Sequence, residues 1–315
     1  MTIDKKELAG LTKKERRELQ REMTRIKREA ERKRRKRNKI LGISGLVLLV
    51  VALLAAIALV VWTNLRIAHE GPKNMLSDGL VLTGDGQSVT PVSTAARQWG
   101  QAPVPTPAPA KGVVDLTLYV DYGSTDAASF DTANMQQLQQ WLTYGYIQLE
   151  VHPIALDGYD AKTDNYSSLA ANAAACVADV APSSFLAANT ALLDANPAVT
   201  DKPIDAAGVI TALTPALGGA NTDVSKCVTD GRFDDWVADA SQKAANGPLP
   251  GTKVDAVATA PLVLVNGEKF TGDITKPTDL ITFISQMLSS DESTGTDASS
   301  PTPSATPAPT ETPVK

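Results

Sequence analysis

The chain has 315 residues, which leaves room for about two domains of ~150 residues each. Its formal charge of −5 conceals an asymmetry: residues 1–39 hold 17 Lys+Arg against 7 Asp+Glu, a net of +10, and residues 40–315 carry a net of −15. The sequence has two cysteines, Cys176 and Cys227, and two histidines, His69 and His152. These counts exclude a four-cysteine zinc site, a cysteine-ligated iron–sulfur cluster and a histidine-rich metal centre within one chain. No metal or cofactor is expected.

Leu11–Lys39 lacks Gly and Pro and is dense in Lys, Arg and Glu. Glu15, Glu18, Glu22 and Glu29 lie three or four residues from basic partners, a spacing that supports a helix. The stretch 1–39 therefore reads as a basic cytoplasmic tail that touches anionic lipid headgroups. A nucleic-acid or cytoplasmic protein partner is the sharper alternative. It is weakened by the absence of any aromatic residue in 1–39, since single-stranded nucleic acids are held in part by stacking. No nucleic acid is expected.

Ile40–Trp62 is an uncharged run of 23 residues. At ~1.5 Å per residue a helix of this length reaches about 35 Å, enough for a hydrocarbon core of ~30 Å. Glu31–Lys39 before it carries seven positive residues, and Thr63–Lys73 after it carries two. The positive-inside rule places the N-terminus in the cytoplasm and the rest outside the cell membrane. A cleaved signal peptide has an apolar region of ~7–15 residues and a small-residue cleavage site. This run is longer and is followed by Thr-Asn-Leu-Arg, so an uncleaved signal-anchor is expected.

Residues 63–112 read as an extracytoplasmic linker. Turn signals at Ser77-Asp78-Gly79 and Gly84-Asp85-Gly86 flank a short apolar piece, Leu80-Val81-Leu82, that suits a strand. Val104–Pro109 should be extended and stiff, because proline favours polyproline II. Residues 289–315 are rich in Ser, Thr and Pro, have little to bury, and are expected to be disordered.

A folded domain is expected over 113–288. Val113–Tyr122 reads as a strand, Ala127–Leu142 as a helix and Tyr146–Leu156 as a second strand. Segments 167–180, 183–194, 204–217 and 222–245 read as helices. Ala260–Val265 reads as a strand, Asn266-Gly267 as a hairpin turn, Glu268–Thr271 as the return strand and Pro277–Leu288 as the closing helix. The order is strand, helix, strand, helical block, hairpin, helix. That is an α/β class with a thioredoxin-like layout and a helical insertion at about 160–245.

Three segments carry a resemblance. Tyr119–Phe130 reads YVDYGSTDAASF, Tyr166–Val177 reads YSSLAANAAACV, and Thr259–Gly267 reads TAPLVLVNG. Together they resemble membrane-anchored, extracytoplasmic thioredoxin-like proteins of the DsbA type from Gram-positive actinobacteria. In that family the first segment holds an Asp-aromatic-x-Cys-Pro-x-Cys motif followed by Phe. Aligned on Asp121, Tyr122 and Phe130, the two cysteine positions fall on Ser124 and Ala127, and the proline between them on Thr125. Dithiol–disulfide exchange needs a thiolate at a helix N-terminus and a resolving thiol three residues on. Serine and alanine supply neither. Loss of the C-x-x-C motif leaves no catalytic residue assigned, and Ser124 suits a helix N-cap.

The resemblance also implies that Pro261 is the family's proline beside the active site, usually cis and next to bound substrate. A peptide groove without redox chemistry and a merely shaped loop both remain open. Asp121 resembles a family residue near the active site. Cys176 and Cys227 both fall in the insertion. Export permits oxidation, so a structural disulfide is expected, and the resemblance supports an extra bond of this kind. The alternative is an oxidoreductase or isomerase that uses this pair. His152, before Pro153 on a strand, reads as structural. The expected function is a redox-inactive module of the cell envelope that binds an exported protein or peptide.

Overall fold

The computed structural model describes residues 13–68, 70–98, 100–156 and 165–294. His69, the first residues of the expected insertion and most of the Ser/Thr/Pro tail lie outside the described residues. The chain divides into two compact units, residues 1–65 and 66–315.

The first unit holds most of helix α1, Lys13–Ala68. Its sequence joins the expected basic helix to Ile40–Trp62 without a break. Described apolar side chains of that run cover 48–61 and are exposed. Among the described residues no helix is long and apolar enough to cross a membrane. A span needs about 20 such residues, and the remainder of Ile40–Trp62 lies outside the described side chains.

The second unit is built on one six-stranded sheet. Its strands are β1 (Leu80–Gly84), β2 (Val89–Pro91), β3 (Val114–Asp121), β4 (Ile147–Ile154), β5 (Leu262–Val265) and β6 (Glu268–Lys269), in spatial order β2-β1-β4-β3-β5-β6. β3 and β4 run parallel, and the helix α2 (Thr125–Thr143) connects them. The other pairings are antiparallel. All eight residues of β4 are buried, as befits a central strand covered on both faces. This mixed α/β sheet follows the thioredoxin-like order expected for 113–288: strand, helix, strand, helical block, hairpin, helix.

Side chains alternate between the faces of β3. Leu116, Leu118 and Val120 enter the main core, and Tyr119 enters a smaller one with Ile154, Leu262 and Leu264. The Asn266-Gly267 turn has φ of 49° and 77°, the pair of positive values that a two-residue hairpin of this hand requires.

Two strands arise from the stretch expected as a linker. Leu80–Gly84 pairs with β4 across Leu80↔Val151 and Leu82↔Leu149, and Val89–Pro91 pairs with it in turn. The folded unit thus includes residues well before 113. The physical reason is the pairing edge of β4, which this short apolar piece occupies.

The insertion holds α3 (Tyr166–Val180), α4 (Phe185–Asp194), α5 (Pro197–Thr200), α6 (Ala206–Leu213), α7 (Thr222–Thr229) and α8 (Asp234–Asn246); a 3-10 turn, Pro182–Ser184, precedes α4. α9 (Pro277–Thr294) closes the unit. The expected single helix over 222–245 is two helices, because the chain turns at Gly231, φ 58°. In α3 the alanines from Ala170 to Ala178 are all buried, which suits a helix enclosed on most sides.

A polar network ties α2 to α4. Tyr122 Oη donates to Asn189 Oδ1 at 3.0 Å, and Asn189 Nδ2 donates to Asp131 Oδ1 at 3.1 Å. Burial, reinforced by Asp194, pushes the Asp131 carboxyl up from 3.8 to about 6. The fold therefore prefers Asp131 protonated, and stability falls as pH rises from about 4 to 6. Two units correspond to about 3 kcal/mol. Asp131→Asn is expected to gain stability over the wild type across that window, by up to about 3 kcal/mol above it. Urea unfolding at pH 4, 5, 6 and 7 checks this; parallel profiles for the two proteins would contradict it.

Candidate functional site

The site begins where β3 ends. Asp121 Oδ1 accepts from the Gly123 N–H at 2.8 Å, and Oδ2 accepts from the Leu156 N–H at 2.8 Å. One buried carboxylate thus holds the turn after β3 to the chain leaving β4. Gly123 has little choice of residue type, since a Cβ there would lie 2.2 Å from Ser167 Oγ on α3.

Ser124 follows with extended backbone, φ −79° and ψ 124°, and is the N-cap of α2. Its Oγ accepts from the Ala127 N–H at 3.2 Å. It also donates to the Ala260 carbonyl at 2.8 Å. Asp126 adds a negative charge in the first turn, where the helix dipole favours it. The N-cap use expected for Ser124 is the use found, and Ala127 is buried in the core behind it.

The Ala260–Pro261 peptide is cis. Pro261 is half-buried and leads directly into β5. The hydroxyl of Ser124 therefore bridges the helix start and the loop before β5. A serine nucleophile needs a base within hydrogen-bond reach. Both hydrogen bonds of this hydroxyl among the described residues go to backbone groups.

The cysteines are elsewhere. Cys176 on α3 and Cys227 on α7 are joined in a disulfide, with Cα atoms 5.8 Å apart and a sequence separation of 51. Cys176 is fully buried and Cys227 is 6% exposed. No cysteine is free among the described residues. The expected pairing is thus the one found, deep in the helical block and not at the start of α2.

His152 is buried, its Nε2 lies 3.1 Å from Glu150 Oε1, and its ring stacks on Tyr119 at 4.4 Å. Sequence reasoning missed its partners. The signal was present: Glu150 and His152 are two apart on a strand and so share a face. Asn165 is the N-cap of α3, its side chain accepting from the Ser168 N–H at 2.9 Å.

Neither a family model nor a curated protein matches the chain. Solved structures do. DsbA of Mycobacterium tuberculosis in its reduced form is 22% identical, with 70% of this chain and 100% of that one covered and a TM-score of 0.47. The disulfide bond oxidoreductase DsbG of the same organism is 21% identical over 71% and 95% of the two chains, with a TM-score of 0.48. MdbA, a thiol-disulfide oxidoreductase of Actinomyces oris, is 21% identical over 57% and 82%, with a TM-score of 0.45. The likeness is one of layout, and no activity passes from it to this chain.

Proposed function

We propose that this chain is a single-pass membrane-anchored protein whose extracytoplasmic thioredoxin-like domain binds an exported protein or peptide and performs no dithiol–disulfide exchange. The observation that carries the reading is at the start of α2. The group there is the Ser124 hydroxyl, tied to the Ala260 carbonyl at 2.8 Å, and both cysteine sulfurs of the chain are joined to each other in a buried bond. An oxygen there cannot form a mixed disulfide. Ser124 and Ala127 are then the replaced active-site positions, and the half-buried Pro261 loop is the part of that surface left to meet a partner.

The anchor rests on the sequence: the uncharged run Ile40–Trp62, the basic stretch before it and the acidic portion after it. Described side chains of the basic stretch, such as those of Arg25 and Glu29, are exposed on α1, which suits contact with anionic headgroups on the cytoplasmic side.

The test is crosslinking in cells. A photo-reactive residue placed at Thr259 captures the partner, and capture is compared between the wild type, Ser124→Ala and Pro261→Ala. Capture that falls several-fold in both variants is expected. Undiminished capture in both, or capture that survives deletion of 113–288 when a probe is placed in the tail, would contradict the groove reading.

A further inference from the structure

Helix α1 carries more order than a solvated basic tail requires. Lys13–Lys39 holds four apolar residues, Leu19, Met23, Ile26 and Ala30, spaced by four, three and four. All four lie in α1. Alternation of four and three keeps one line of side chains turned toward a partner helix. Written as a heptad abcdefg, Met23 and Ala30 take position a, and Leu19 and Ile26 take position d. Met23 is 39% exposed and Ile26 is 58% exposed. A helix that packs onto a core shows a wider apolar face; a line confined to a and d is the seam of a coiled coil.

The flanking charges repeat with the same period. Glu15, Glu22 and Glu29 are seven apart and take position g, while Gln20, Lys27 and Arg34 are seven apart and take position e. In two parallel helices, g of one faces the residue five positions on, at e, of the other. Glu22 then faces Lys27 of a second copy, and Glu29 faces its Arg34. Twofold symmetry makes each pair twice. In two antiparallel helices g would face g and e would face e, so like charges would meet. Glu22, Lys27, Glu29 and Arg34 are all exposed. Arg25, at position c, lies 3.5 Å from Glu29 within the same helix, and an exposed pair of that kind contributes little.

We propose that the basic part of α1 pairs with the same segment of a second copy, as a short parallel two-stranded coiled coil over 19–30. Arg16 at position a and Lys33 at position d end the apolar seam on its two sides. The seven Lys+Arg of Glu31–Lys39 in each copy oppose the pairing. Anionic headgroups screen that repulsion, and two chains held in one membrane meet at a raised effective concentration. These last two contributions rest on the anchor proposed above; the seam and its charge pattern do not.

The test is disulfide crosslinking of the full chain in phosphatidylcholine–phosphatidylglycerol vesicles, catalysed by copper phenanthroline and read as dimer on a non-reducing gel. Ile26→Cys places a thiol on the seam, and Arg28→Cys places one at position f on the outer face. The first is expected to crosslink at least about tenfold faster than the second. Glu22→Lys/Glu29→Lys added to Ile26→Cys is expected to slow it several-fold, and so is Lys27→Glu/Arg34→Glu. Lys, Arg and Glu have similar helix propensities, so these changes leave the helix itself in place. Mixing the two reversed variants should restore the rate, because every cross pair is then attractive. Carbonate extraction of the same vesicles reports the anchor separately, and a chain that is stripped from the lipid yet still crosslinks at position 26 keeps the pairing. Equal rates at positions 26 and 28, a rate unmoved by charge reversal, or no recovery in the mixture would overturn the pairing.

Discussion

Arg97→Met is expected to lower the unfolding free energy by about 3–5 kcal/mol, because it removes one partner of a buried ion pair. Arg97 is 5% exposed although it lies in a stretch with the composition of a linker. Its Nε donates to Asp78 Oδ1 at 2.6 Å, one terminal nitrogen donates to Asp239 Oδ2 at 2.7 Å, and the other donates to the Gln101 carbonyl at 2.9 Å. Asp78 also accepts from Trp236 Nε1 at 3.0 Å, and Trp236 is among the largest fully buried side chains. One guanidinium therefore ties the segment before β3 to α8. Without it, a carboxylate already pushed up by burial is left unmatched. A group with a raised pKa loses stability as pH rises through its range, so the deficit of the variant is expected to grow from acid toward neutral pH. Asp78→Asn/Arg97→Met should recover part of the loss, since an uncharged pair leaves no buried charge. Urea unfolding of the three proteins measures this. A loss below about 1 kcal/mol, the scale of an exposed pair, would mean that this segment is not integral to the fold.

The second large effect is expected at the disulfide. In the chain-entropy model, a cross-link closing a loop of about 50 residues stabilises by roughly 4 kcal/mol. Cys176→Ala/Cys227→Ala should lose about that much, measured by urea unfolding under oxidising conditions. The wild type in reductant should approach the variant, and the variant itself should be insensitive to reductant. Both sulfurs are buried, so reduction should be slow in the folded protein and fast in urea. A variant as stable as the wild type would contradict a stabilising role for this bond. Fast reduction of the folded protein would contradict the inert environment that the burial implies.

The contrast between what is readable and what is not follows the range of the interactions. The hairpin at Asn266-Gly267 is legible because its cause is local: two residues with positive φ between apolar strands. The strand at β3 and the helix α2 are legible for the same reason, through alternation and an N-cap serine. The place of β1 is not, because its partner in β4 is about 70 residues away, as the Leu80↔Val151 pairing shows. Arg97 stands alone among polar and small residues, and its partners Asp78 and Asp239 are 19 and 142 positions distant. Nothing local marks it as buried. At the candidate site, Ser124 as a cap was readable from residue type, whereas its bond to the Ala260 carbonyl was not, and the cis Ala260–Pro261 peptide was implied by the resemblance alone. The pairing of Cys176 with Cys227 was expected because the sequence has two cysteines and both fall in the expected insertion, and their helices bring the Cα atoms to 5.8 Å. The cavity beside Glu150 and His152 escaped because its walls come from six separated segments, around Ser77, Thr106, Thr117, His152, Gly251 and Gly267.

The central claim is that a thioredoxin-like layout persists here without its chemistry. The most direct measurement is a thiol-oxidation assay on the purified full chain, beside Cys176→Ala/Cys227→Ala, with a reduced peptide as substrate and glutathione disulfide as the oxidant. The account predicts equal, background rates for the two proteins, because the start of α2 carries an oxygen and the only disulfide is buried. A catalysed rate in the wild type that disappears in the double variant would contradict it.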